Sequence, residues 1–131
     1  MSFQPITFKM MLEPRPKARP RFTTKGYAYN PPENVKFEIA VENEWKKLKL
    51  QMIPKVPTVV SCWFFLRRPK SNKSAIPIVK PDVDNLKKAI LDALNGLAWQ
   101  DDNQICDSHA HKRWSDGDPY IHINILPIGA L

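Results

Sequence analysis

The sequence predicts a single two-layer domain of the α/β (α+β) class, with two helices packed on a mixed sheet in the order β-α-β-α-β-β. Three observations favour this class. The chain has 131 residues, the size of one ordinary domain, and 43% of them are hydrophobic, enough for one buried core. Two segments repeat apolar residues at helical spacing. Four other segments show the alternation or the β-branched and aromatic enrichment typical of strands, so we expect one domain over residues 1–131.

The first half of the chain predicts a strand, an arm, a helix and a second strand. Residues 3–12 alternate imperfectly between apolar and polar side chains, as a strand does. Residues 13–30 contain closely spaced prolines that leave hydrogen-bond gaps, so they predict an extended arm or loop. A helix is expected from Pro32, because apolar residues then recur every three or four positions. Residues 57–66 are apolar on both faces and predict a central strand.

The second half predicts a helix followed by two strands. The helix begins near Asp84 and ends at Asn95-Gly96, a dipeptide typical of helix ends. Strands are expected over residues 104–113 and 120–126. Asp116-Gly117 between them suits a tight turn, so we expect these two strands to pair as a C-terminal hairpin.

Charge is unevenly distributed along the chain. The net charge is +7, yet eight of the thirteen Asp and Glu residues lie between residues 82 and 131. A basic region beside an acidic one suits a metal-dependent enzyme acting on a polyanion, since cations attract the backbone and carboxylates hold divalent ions. Charge alone fits a basic nucleic-acid-binding protein equally well.

Three aspartates around the second helix are candidate metal ligands. Asp82 and Asp84 stand two apart, so their side chains point the same way if this stretch is extended. The helix is about 18 Å long, and the residues from 96 to 102 span up to about 23 Å when extended, enough to return Asp102 to the same end. Carboxylates with water and phosphate completing the shell are the usual ligands of Mg²⁺. The sequence therefore predicts a Mg²⁺ site at these three residues.

Each acidic residue also has a structural explanation when taken alone. Asp84 suits the N-cap of the helix, a position worth about 1 kcal/mol, and Asp82 suits a solvated carboxylate near the positive end of the helix dipole. Asp101 and Asp102 suit a polar turn before a strand. Lys88 lies four residues after Asp84, so it suits either an exposed helix salt bridge or a cation aimed at a reacting phosphate. Spacing alone leaves these alternatives open.

Taken together, the acidic stretch resembles a known family. Asp82-Val83-Asp84-Asn85-Leu86 is followed by Lys88 in "KKAILDALNG", then by Trp99 and by Asp101-Asp102-Asn103-Gln104-Ile105. This ordered pattern resembles the RusA family of Holliday-junction resolvases. The stretch "PRPKARPRF", residues 14–22, is similar to the basic N-terminal motif of phage-type members.

The resemblance implies both an activity and roles for single residues. It implies a crossover junction endodeoxyribonuclease that works as a homodimer, using Mg²⁺ or Mn²⁺ to make paired symmetric nicks in four-way DNA during recombination and repair. By this resemblance Asp82, Asp84 and Asp102 match the metal-binding acids, Lys88 matches the catalytic lysine, and Asp101 is a possible accessory carboxylate.

Two basic clusters are candidates for DNA binding. In an extended arm, alternate cations lie on one face and suit a phosphate backbone; these are Arg15, Lys17, Arg19 and Arg21. The second cluster precedes the acidic motif and comprises Arg67, Arg68, Lys70, Lys73 and Lys80. A solvated basic loop is the alternative explanation of each cluster.

Other features narrow the protein class. Cys62 and Cys106 have no CxxC partner, the sequence lacks a signal-peptide pattern, and no apolar stretch reaches membrane-spanning length, so we expect a cytoplasmic protein with reduced thiols. Two rival functions fit parts of the sequence. One is a non-catalytic nucleic-acid-binding protein whose aspartates only cap a helix, and the other is a metal-dependent nuclease that prefers flaps or RNA.

Overall fold

The computed structural model describes residues 4–129 and has the two-layer architecture that the sequence predicts. Its elements are β1 (Ile6–Met10), β2 (Arg21–Phe22), β3 (Ala28–Tyr29), α1 (Pro32–Lys47), β4 (Thr58–Arg67), α2 (Val83–Leu94), a 3₁₀ turn (Asp102–Gln104), β5 (Ile105–Ser115) and β6 (Tyr120–Pro127). Phe3, at the predicted start of the first strand, lies outside the described residues. Two helices on a mixed sheet confirm the predicted fold class.

The main sheet has four strands in the order β1-β6-β4-β5. β4 lies inside this sheet, as its apolar sequence predicts, antiparallel to β6 and parallel to β5. Because α2 connects two parallel strands, it runs back along the sheet, and its N-terminus lies beside the end of β4. The residues before α2 and those after it are therefore at opposite edges of the domain.

The predicted C-terminal hairpin is wrong, because β4 lies between β5 and β6. Ile121, Ile123 and Ile125 of β6 are fully buried, and β6 pairs on both sides, with β1 and β4. β5 takes the edge of the sheet, where Cys106 and Asp107 are exposed. Polar residues suit an edge strand and apolar residues an interior strand, so composition decides the pairing more strongly than closeness in sequence does.

Both helices pack on one face of the sheet. α1 begins at Pro32 and α2 at Val83, close to the predicted starts. Their buried faces join the inward-facing side chains of β4 and β6 in one hydrophobic core, whose largest fully buried residues include Trp99, Phe64 and Ile90. Within residues 4–129, neither helix has the length and apolarity needed to cross a membrane.

The basic arm is extended but held against both helices. The Asn34 side chain, at the start of α1, donates to the Ala18 carbonyl and accepts from the Ala18 amide, both at 2.9 Å. The amide of Lys17 donates to the carbonyl of Asn85 in α2 at 3.2 Å. Further along, β2 and β3 form a short antiparallel ribbon that the sequence did not predict. The arm therefore has a defined path across the N-terminal ends of the two helices.

Candidate active site

Asp82 and Asp84 lie at the N-terminal end of α2, and both side chains are exposed. Asp82 occupies the N-cap position, yet its side chain makes no capping hydrogen bond. One oxygen of Asp84 accepts the amide of Asn85 at 3.0 Å. Since the helix already begins at Val83, the expectation that an extended strand aligns the two aspartates does not hold. They are two acidic groups with largely unengaged oxygens at the positive end of a helix dipole.

A lysine from β5 fixes the loop that carries Asp82. Lys112 donates from Nζ to the carbonyl of Val79 at 2.6 Å and to the carbonyl of Pro81 at 3.0 Å. The peptide bond between Lys80 and Pro81 is cis. Sequence reasoning missed Lys112, because a single lysine about thirty residues away gives no local signal.

Two neighbouring lysines of α2 have different surroundings. Lys87 donates to the Ser108 hydroxyl at 3.0 Å, so it is directed toward β5. Lys88 is exposed and lies one helical turn after Asp84, on the same side of the helix. Among residues 4–129, no carboxylate approaches Lys88 within 4.0 Å, so the helix salt bridge that its spacing permits does not form. Its ammonium group is available to an external anion.

Asp102 lies at the other end of α2. Its amide donates to the Asn95 side chain at 3.0 Å, and one carboxylate oxygen accepts from Trp99 Nε1 at 2.7 Å. A 12-residue helix is about 18 Å long, so no single ion contacts Asp82 and Asp102 of the same chain. The expected return of Asp102 to the other end is wrong because the following chain stays at the C-terminal end of α2. The Ala98 amide donates to the Leu94 carbonyl at 2.9 Å, and the Asp102 amide is held by the Asn95 side chain.

Asp101 and Asp102 are both engaged by their own chain. The Asp101 side chain accepts the Asn103 amide at 3.1 Å, and Gln104 completes a capping box with it. Desolvation raises the pKa of the Asp102 carboxyl; the Trp99 hydrogen bond opposes this shift, and the negative charges of Asp92 and Asp101 add to it. The structural explanation for a polar turn therefore holds at this end.

The donor set at Asp82 and Asp84 suits a hard divalent cation. Mg²⁺ is usually held by one or two carboxylates, with water and substrate phosphate supplying the other oxygens. Within residues 4–129, no group of three or more His, Cys, Asp or Glu side chains is arranged to hold a metal ion. The pair at the N-terminal end of α2 is compatible with an ion whose shell the substrate completes.

Most arm cations are paired with carboxylates of the same chain. Arg15 pairs with Glu13, and Arg21 with Glu33, in exposed contacts. Lys17 is more buried and contacts both Glu38 and Asp92, at 3.2 and 3.1 Å. Burial lowers the pKa of Lys17, but the hydrogen bonds to Asp92 and Glu38, together with the negative charges of these two residues, outweigh that effect and raise the pKa overall. Lys17 therefore holds the arm on the helices.

Two residues of the second basic cluster line a cleft beside Asp82. The cleft has a volume of about 540 Å³ and is formed by the arm, the end of β4 and the loop before α2. Arg67 and Lys80 line it together with Arg15 of the arm. Arg68 turns back over the Trp114 ring, 5.2 Å from its centroid. Lys70 and Lys73 are exposed in the following loop.

Comparison with known proteins relates this arrangement to an enzyme family. The family profile described as "Endodeoxyribonuclease RusA" matches residues 12–126, nearly the whole chain. The chain is also similar to the uncharacterized protein YqaN of Bacillus subtilis (strain 168), with 37% identity over 65 residues. That stretch is 49% of this chain and 45% of YqaN, so the chain spans less than half the length of this relative.

Proposed function

Because this chain belongs to the RusA endodeoxyribonuclease family, we propose that it is a divalent-metal-dependent endonuclease that resolves four-way DNA junctions. The observation that carries the proposal is the position of Asp82 and Asp84. Both are exposed at a helix N-terminus, beside a cleft with a cationic rim, in a chain of net charge +7. Carboxylates in such basic surroundings suit a phosphodiester substrate bound through a metal ion.

The proposed roles combine the family resemblance with the position and exposure of each side chain. Asp82 and Asp84 would hold Mg²⁺ or Mn²⁺, and the bound ion would supply the positive charge and the activation of water that phosphodiester hydrolysis requires. Lys88, exposed one turn further along α2, contacts the reacting phosphate and stabilises the negative charge that develops as the bond breaks. Lys112 positions Asp82 by holding the loop before it. Cleavage leaves 5′-phosphate and 3′-hydroxyl ends.

The DNA-binding surface in this proposal joins the arm to the loop after β4. Its exposed cations are Arg15, Arg19, Arg21, Arg67, Arg68, Lys70, Lys73 and Lys80. The exposed Arg15 and Arg21 ion pairs are weak, so a phosphate group can displace their carboxylates. Lys17 belongs to this surface through the arm that it anchors, because its own charge is taken by Glu38 and Asp92.

A homodimer is part of the proposal. Junction DNA has two-fold symmetry and needs two coordinated cuts, which a symmetric dimer with two sites provides. The dimer also accommodates Asp102, which the family motif groups with Asp82 although one helix length separates them. We propose that Asp102 acts in the site of the second subunit, where the C-terminal end of one α2 meets the N-terminal end of the other.

The proposal also bears on the two rival functions. Neither aspartate acts as a side-chain cap: Asp82 occupies the N-cap position of α2 and its side chain accepts no amide of the first turn, and Asp84, expected at the N-cap, lies inside the helix. A solvated carboxylate near the positive end of the helix dipole is the structural alternative for Asp82, and metal-dependent cleavage separates that alternative from a metal ligand. A nuclease that prefers flaps or RNA has the same carboxylate requirement, so only a comparison of substrates separates it from a junction resolvase.

The deciding experiment incubates the purified protein with labelled DNA in Mg²⁺, in Mn²⁺ and in EDTA. The substrates are a synthetic four-way junction, a flap and a linear duplex, all at one salt concentration because DNA affinity depends on salt. We expect paired symmetric nicks only in the junction and only with metal, and DNA ligase should reseal them. Cleavage of the flap at an equal rate would replace the junction with a broader substrate class, and binding without cleavage in either metal would reject the nuclease.

A further inference from the structure

The cleft beside Asp82 has an apolar interior and a charged rim, where Arg15, Arg67 and Lys80 outnumber the carboxylates of Glu13 and Asp82. The apolar part is formed by Leu66, Trp114 and Val79, together with prolines of the arm and of the loops. Leu66 is 9% exposed and Trp114 is partly buried, whereas Arg67 and Lys80 at the rim are exposed. Ligand sites of about 300 to 1,000 Å³ with apolar walls and a few polar groups are typical of small-molecule recognition, and this volume of about 540 Å³ lies in that range.

The walls of the cleft are held in place by contacts from outside it. Trp114 donates from Nε1 to the carbonyl of Ser74 at 3.0 Å, and Arg68 covers the Trp114 ring while bonding the same carbonyl at 2.8 Å. Lys112 fixes the carbonyls of the opposite wall, at Val79 and Pro81. Because these walls are ordered before any ligand enters, binding in the cleft loses little conformational entropy.

The chemistry of the cleft matches an unstacked nucleotide. A backbone-contacting surface needs only the rim cations, and the apolar interior behind them suits the faces of a base. Asn85 lines the same cleft, and in the described part of the chain the hydrogen bonds of Asn85 involve its backbone amide and carbonyl. Its side-chain amide therefore has a donor and an acceptor available for a base edge.

We propose that this cleft receives one nucleobase of the cleaved strand, extruded from the stack next to the scissile phosphate, and that it sets the sequence preference of the cut. The inference rests on the proposed function, because Asp82 lines the cleft and also belongs to the proposed metal site. The base enters between the apolar walls while Arg67 and Lys80 contact the adjoining phosphates. The energetic cost of unstacking is lowest at a branch point, where stacking is already interrupted.

The test uses 2-aminopurine, a base whose fluorescence rises when it leaves the stack. It is placed in turn at each position flanking the cut in a four-way junction, and the full-length wild-type protein is added in EDTA. Fluorescence should rise severalfold at one position. Val79 lines the cleft and is 45% exposed, so Val79→Trp should fill the cleft. In the same titration, this variant should abolish the rise in 2-aminopurine fluorescence. The neighbouring Ile78→Trp is the matched control, because Ile78 is 84% exposed and outside the cleft lining, and it should keep the rise.

The second readout is the cleavage rate of a set of junctions that differ only in the base at the position where 2-aminopurine fluorescence rises. Wild-type protein and Ile78→Trp should cut these junctions at unequal rates, and Val79→Trp should cut them at nearly equal rates. If the wild-type protein cuts the junction with metal but raises 2-aminopurine fluorescence at no position, the inference is overturned and the proposed function stays intact. Equal behaviour of the two tryptophan variants would also overturn it. Brightening without cleavage in any metal would instead reject the nuclease and support a base-binding cleft.

Discussion

The aspartates at the two ends of α2 belong to one sequence motif but have different surroundings. At the N-terminal end, Asp82 and Asp84 are exposed, and the side chain of Asp82 makes no capping hydrogen bond. At the C-terminal end, Asp101 caps the 3₁₀ turn and Asp102 accepts a hydrogen bond from Trp99. The capping role explains Asp101 by the fold, whereas Asp82 and Asp84 have free oxygens in a cationic setting that suit a ligand. Asp102 is intermediate, because Trp99 uses one of its oxygens and, in the described residues, its other oxygen has no hydrogen-bond partner. Variants at both ends of α2 test that difference.

Asp82→Asn should have the largest effect. If Asp82 is a ligand of the proposed metal ion, its loss removes several kcal/mol of transition-state stabilisation, so junction cleavage should fall at least about a thousandfold. Junction affinity in a gel-shift assay should stay the same or rise, because a charge that repels DNA is removed. Asp107→Asn, an exposed aspartate on the edge strand β5, is the control and should cut at the wild-type rate. If Asp82→Asn lost both junction binding and cleavage, Asp82 would be required for folding and not for catalysis.

Asp102→Asn should abolish cleavage as well if Asp102 acts across the proposed dimer. Mixed dimers decide this point. In a dimer of one Asp82→Asn subunit and one Asp102→Asn subunit, one site receives both substitutions and the other receives neither. Differently tagged subunits, purified as the mixed dimer, should therefore nick one strand of the junction, although each homodimer is inactive. An inactive mixed dimer would contradict action across the dimer, and an active Asp102→Asn homodimer would make Asp102 purely structural.

Lys88→Met should lower the cleavage rate by about 10² to 10³-fold, the usual effect of removing one group that stabilises transition-state charge. Its urea unfolding curve should match that of the wild type, because Lys88 is exposed. Lys87→Met is the matched comparison, since Lys87 contacts Ser108. That variant should lose some stability and keep its cleavage rate. Similar rates for the two variants would remove Lys88 from the site.

The sequence predicted both helices and the four strands of the main sheet, and it predicted that Asp82 and Asp84 lie at the start of the second helix. Helical spacing of apolar residues places the start of α2 near Asp84, so the exposed pair was predictable from local pattern. The position of Asp102 was not, because long-range contacts fix it. Gln104 donates to the carbonyl of Pro54 at 2.8 Å and to the Thr58 hydroxyl at 3.2 Å, which holds the end of the turn at the start of β4. The same limit applies to β6, whose position beside β4 depends on composition along the whole sheet.

Asp101→Ala tests the structural end of the motif. Its side chain accepts the Asn103 amide and takes part in a capping box, so the substitution should lower the free energy of unfolding by about 1 kcal/mol in a urea titration. Asp82 occupies the corresponding N-cap position of α2 but makes no capping hydrogen bond. Asp82→Ala should therefore lower the free energy of unfolding far less than Asp101→Ala does. If the two variants lost equal stability, the distinction between the two ends of α2 would fail.

The smallest effect should be the pH dependence that Asp102 contributes to stability. Desolvation raises the pKa of this carboxyl above its ordinary value of 3.8, so the folded state binds the proton more tightly than the unfolded state does. A raised acid pKa means that the charged form is disfavoured by folding. The contribution of the Asp102 carboxyl to the free energy of unfolding is therefore most favourable below the pKa that Asp102 has in the unfolded chain. That contribution is lost as pH rises through the pKa that Asp102 has in the folded chain. Asp102→Asn, which keeps an oxygen for Trp99, should remove that loss. Urea unfolding of both proteins from about pH 4 upward should show the variant gaining stability relative to the wild type as pH rises, and a constant difference would mean that Asp102 has equal pKa values in the folded and unfolded chains.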